Sequence, residues 1–100
     1  MAKKTLKINN KEFNFNMTNR TIIELDDIYE NAGTIFDGLM NGKKFFSNAV
    51  KLLSVSCVEK KWSFDEMVDT LSSTALYSEV PSLAMAVFLD YIGVDKKEKN

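Results

Sequence analysis

"SEVPSLAMAVFLDYIG", residues 78–93, decides the fold class. Between Leu83 and Ile92 only Asp90 is polar, so the helix predicted over 79–92 is apolar around its whole circumference. A helix of that kind needs neighbours on every side, and the rest of the chain must supply them. Pro81 suits its first turn, where amides have no helical partner, and Gly93 suits its end. With 100 residues, one proline and four glycines, the chain has few breaks and room for one core. The expectation is a mostly α (α+β) fold in a single domain over residues 1–94.

Working back along the chain, "WSFDEM" (62–67) carries the sharpest local signal. Ser63 is an N-cap with Glu66 three residues on, and Trp62 and Met67 are placed for a hydrophobic staple, which predicts a helix over 64–73. "KKFFSNAVKLLSVSCVEKK" (43–61) predicts a second strongly apolar helix over 44–59, with Lys60 and Lys61 against the negative end of its dipole. "TIFDGLMNG" (34–42) is a short helical piece over 34–41, ended by Gly42. In "MTNRTIIELDDIYENAG" (17–33) the stripe Ile22, Leu25, Ile28, Tyr29 and Ala32 predicts a helix over 19–32, capped by Thr18 or Asn19 and stopped by Gly33.

The N-terminal stretch has period two instead. "LKINNKEFNFN" (6–16) alternates about Asn9-Asn10, and asparagine tolerates the positive φ of a two-residue primed turn. A hairpin over 4–17 then pairs Ile8 with Lys11, Lys7 with Glu12 and Leu6 with Phe13. Leu6, Ile8, Phe13 and Phe15 share one face. The fold expected is this hairpin packed on a compact bundle of four to five helices. Its strand edges, carrying Lys7, Lys11, Asn14 and Asn16, are candidate contacts to another chain. A proline at Asn14 is expected to weaken assembly and spare the monomer. Residues 95–100 read as a disordered, solvated tail.

Charge and residue types exclude much. The net charge is −1, in alternating blocks: +4 over 1–20, −5 over 21–42, +4 over 43–62 and −5 over 63–90. Near-zero net charge and a single arginine argue against nucleic-acid binding. Histidine is absent, which removes the commonest general base and metal ligand, and a Ser-His triad with it. The glycines at 33, 38, 42 and 93 lack phosphate-loop or dinucleotide spacing. Glu24, Asp26, Asp27 and Glu30 read as a solvated acidic face. Cys57, the only cysteine, reads as a buried thiol. No enzyme activity, metal or cofactor is expected. No uninterrupted apolar run approaches the roughly twenty residues of a transmembrane helix, and the start lacks a signal core. A cytoplasmic protein without membrane contact is expected.

The apolar content exceeds what two amphipathic helices can cover, so apolar surface is expected to remain exposed. Phe45, Phe46, Trp62, Phe64, Met85 and Phe88 are the candidate partner-binding residues, though most must be core. The order of parts, from "LKINNKEFNF" through "TIIELDDIYENAG", a middle apolar helix and "WSFDEMVDTL" to a last apolar helix, resembles the tail assembly chaperones of long-tailed (siphovirus-type) bacteriophages and prophages. That resemblance implies a small α-rich, oligomeric, non-catalytic protein of the bacterial host cytoplasm. It implies the tape-measure protein and the tail-tube protein as partners. The alternative is a small phage regulatory protein, of repressor or anti-repressor type, binding nucleic acid or a host protein.

Overall fold

The computed structural model describes residues 4–93; the tail expected over 95–100 lies outside them. Strands β1 (Thr5–Ile8) and β2 (Lys11–Asn14) form the antiparallel hairpin in the expected register, Ile8 opposite Lys11 and Leu6 opposite Phe13. Asn9 and Asn10 hold φ of 54° and 65°, as the primed turn requires. Helices α1 (Asn19–Tyr29), α2 (Ala32–Asn41), α3 (Phe45–Ser56), α4 (Phe64–Thr70) and α5 (Val80–Ile92) follow, with a π-helical turn, Ala75–Glu79, leading into α5.

The central helix is α3, not α5. It packs against α1, α2, α4 and α5, and Ala49, Leu52 and Leu53 have no exposed surface. By contrast α5 buries Val80, Ala84, Val87 and Phe88 but keeps Leu83, Met85, Leu89 and Tyr91 only partly covered, and Ile92 is exposed. The expectation that an all-apolar helix is wrapped on every side is corrected here: among the described residues no element covers that face completely. Continuous helix from Ala75 to Ile92 is also long and apolar enough by length and composition to cross a membrane, although its inner face is in the core. Counting uninterrupted apolar runs missed this, because polar residues such as Ser78, Glu79 and Ser82 interrupt it.

Helix ends moved for identifiable reasons. Asn31 caps α2, its Oδ1 accepting the Gly33 N–H at 3.0 Å, so α1 stops at Tyr29, short of the expected Ala32, and Gly33 lies inside α2. Asp26 reinforces the break by accepting the Ala32 N–H at 2.6 Å. Helix α3 ends at Ser56 because the chain turns out to meet β2. Lys61 still reaches back to a last-turn carbonyl, donating to Val55 O at 3.1 Å, so its expected role survives from outside the helix. Ser63 caps α4 as read, accepting from Glu66 N at 3.0 Å, but the Glu66 carboxylate turns to Lys60 Nζ at 2.7 Å instead of closing the box.

The π turn has a cause in Pro81. An α-helix would aim the missing amide of Pro81 at the carbonyl of residue 77 and press the ring on it. Widening the turn relieves this, and the Val80 N–H reaches the Ala75 carbonyl, five residues back.

Candidate partner-binding surface

Two aromatic side chains stand in the open and touch. Phe46, in the first turn of α3, is 40% exposed, and Tyr77, on the π turn, is 76% exposed. Their rings stack at 5.8 Å with planes 16° apart, and half-buried Phe45 meets Phe46 edge-to-face at 6.1 Å. Stacking covers part of each ring, but the outer faces remain in water, at about 25 cal/mol per Å² of apolar area that a partner would recover. Exposed aromatics in contact with each other are the kind of anchor that interfaces use.

The six candidates from sequence divide. Phe46 is exposed, and Phe45, Phe64 and Met85 are half-buried against the core. Trp62 and Phe88 are core residues. Trp62 packs edge-to-face on Phe13 at 5.2 Å under the Lys60 ammonium at 4.2 Å, and Phe88 stacks on Phe36 at 4.8 Å. The structure brings Phe45 and Phe46 together with Tyr77, which sequence reading passed over. The signal was present: an aromatic in the polar run "SSTALYSE", four residues before a proline. Ile23, Ile28, Met40 and Val58 are further exposed apolar side chains outside the predicted set.

The hairpin edges differ from expectation. Phe15 N–H donates to Lys4 O at 2.9 Å, continuing the ladder, so the outward backbone groups belong to Thr5 and Lys7 on β1 and to Asn14 and Asn16 beside them on the other strand. The second edge is closed by residues 56–59. Asn16 N–H donates to Ser56 O at 2.9 Å, Val58 N–H to Asn14 O at 2.7 Å, and Asn14 N–H to Glu59 Oε1 at 2.9 Å. Asn14 Nδ2 also donates to Glu59 Oε2 at 2.6 Å. Asn14 and Asn16 are therefore occupied within the chain, and a proline at 14 damages the monomer instead of sparing it. Lys11 turns its backbone to β1 and its ammonium over the Phe13 ring at 5.7 Å. Lys7 alone of the four stays on an edge without a hydrogen-bonded neighbour among the described residues.

These bonds to Asn14 hold the Glu59 carboxyl below the usual glutamate range, the side-chain amide contributing most. With a depressed folded pKa, the stabilisation is complete above the ordinary glutamate pKa and is lost as pH falls through the folded value. Glu59→Gln is thus expected to melt slightly below the parent protein at pH 7. The gap should close in melts run at steadily lower pH; a gap independent of pH would contradict the assignment.

The acidic helix is engaged internally in part: Glu24 accepts from Lys61 Nζ at 2.8 Å and Asp26 holds Ala32. Among the described residues no group of three or more His, Cys, Asp or Glu side chains is placed to hold a metal. No protein-family model, curated protein or solved structure matches the chain.

Proposed function

We propose that the chain is a tail assembly chaperone of the long-tailed phage type. In this reading it binds and solubilises the tape-measure protein, helps tail-tube assembly in the host cytoplasm, acts in several copies, and catalyses nothing. The observation that carries the reading is the exposed Phe46–Tyr77 stack beside a bundle whose last helix keeps an incompletely covered apolar face. A protein that shields apolar segments of another chain needs such surface on a scaffold that folds without it. The order of elements resembles the same family.

Co-expression with the tape-measure protein of the same gene cluster tests this. The tape-measure protein should be soluble with the parent chain and insoluble without it. Phe46→Ser/Tyr77→Ser should lose that effect while melting within a few degrees of the parent, since surface substitutions cost little. A tape-measure protein equally insoluble with and without the chain refutes the reading.

A further inference from the structure

We propose that the groove between α2 and α3 binds a small phosphorylated anion of the pyrophosphate class. Lys44, the N-cap of α3, precedes Asn48 and Lys51, which are neighbours on one face of the helix at i, i+3 spacing. Thr34, Asp37 and Gly38 of α2 face these residues across a groove of about 310 Å³, which Lys43 also lines. This is the low end of ligand-site volumes, of order 300 Å³ and upward, and three lysines against one aspartate give its lining a net positive charge. Lys43 has a partner in Asp37 at 3.5 Å. Lys44 and Lys51 make no salt bridge among the described residues. Two lysines without an ion pair thus line one groove in a chain whose net charge is −1.

The corner that carries them is built, not loose. Asn48 is 5% exposed, and its Nδ2 donates to the Lys43 carbonyl at 2.8 Å, fixing the backbone just before Lys44. A Cβ on Gly38 would lie 2.0 Å from Asn48 Nδ2 and 2.6 Å from Lys43 O, so only glycine lets α2 close on this corner. Lys44 itself holds φ 47° and ψ 47°, the left-handed region. A lysine there is strained in a way that glycine would not be. The position therefore holds a side chain that the backbone disfavours, and that side chain lines the groove. A polymeric phosphate fits less well than a small one. The basic groove is short, and Lys51 lies over the Tyr29 ring at 5.5 Å, next to the acidic end of α1 with exposed Asp27 and Glu30.

Pyrophosphate titrated into the full chain at constant ionic strength, followed by calorimetry and by backbone amide shifts, tests the site. Saturable one-site binding is expected, with shifts centred on Gly38, Lys44 and Asn48. Lys44→Gly should weaken binding about tenfold, the loss of one charge-assisted contact, while melting at or above the parent temperature. A merely structural lysine would not combine those two results. Lys51→Gln should weaken binding comparably, and Lys7→Gln should leave it unchanged. Parent-like affinity in both groove variants overturns the proposal, as does an equal loss in Lys7→Gln, which would mean diffuse charge. Binding of single-stranded DNA oligonucleotides that tightens with their length would replace it with a nucleic-acid surface.

Discussion

Phe13→Asp is expected to abolish cooperative unfolding altogether. Phe13 is 6% exposed, lies opposite Leu6 in the hairpin, and meets the Trp62 ring edge-to-face at 5.2 Å. Removing a buried phenyl ring costs about 3–5 kcal/mol through lost transfer energy and the cavity left behind. An unpaired carboxylate in the same place adds several kcal/mol more, and Lys11, now over the ring, is the nearest cation recorded around it. Set against a typical domain stability of roughly 5–15 kcal/mol, the sum leaves little or no folded protein. Near-UV circular dichroism of Trp62 and the tyrosines should be lost, and thermal scans should show no transition. Phe13→Leu serves as the control and should stay folded with a lowered midpoint. A Phe13→Asp chain that melts cooperatively would show that the hairpin is not part of the core.

Gly38→Ala should lower the melting temperature, although helix propensity says the opposite. Within α2, exchanging glycine for alanine favours the helix by about 1 kcal/mol. Here the added Cβ meets Asn48 Nδ2 at 2.0 Å and the Lys43 carbonyl at 2.6 Å, the second a backbone atom that cannot swing aside. Overpacking costs about 1–3 kcal/mol, and displacing Asn48 from its 2.8 Å bond leaves a buried amide unsatisfied for about 1–3 kcal/mol more. The net loss is about 1–5 kcal/mol, at roughly 4–8 °C of melting temperature per kcal/mol for a domain of this size. The sign decides between the two effects. Gly38→Ala/Asn48→Ala should recover part of the loss, because the double variant removes the obstructing group. A midpoint that rises in Gly38→Ala would mean that α2 and α3 are not in close contact there.

Local chemistry was legible where one residue type answers one demand. Asn9-Asn10 with alternating neighbours specified the hairpin register, and Ser63 with Glu66 specified the start of α4. Pairing demands that reach across the chain were not legible. Nothing near Cys57 announces that α3 must stop there, because the reason is the open edge at Asn14 and Asn16, distant in sequence. The π turn is a related case: Pro81 marked a helix start, but the helix continues backward through a widened turn and carries Tyr77 into solvent. For the candidate surface, composition gave the amount of apolar residue in excess and not its location. Trp62 and Phe88 read like Phe46 in sequence; burial separates them, and burial depends on which helix is central. That helix is α3, whose periodicity is no more apolar than that of α5.

The closure of β2 by residues 56–59 sets a timetable for synthesis. Hairpin residues leave the ribosome before residues 56–59, and Asn14 and its carboxylate partner Glu59 are 45 positions apart. At about 5–20 residues per second, the edge waits roughly 2–9 s for its own cover. Throughout that interval the nascent chain offers unpaired backbone groups beside Phe13 and Phe15, the condition under which neighbouring chains on one message pair with each other. Glu12 and Lys11, exposed at the turn, are the charges that stand guard until residues 56–59 arrive.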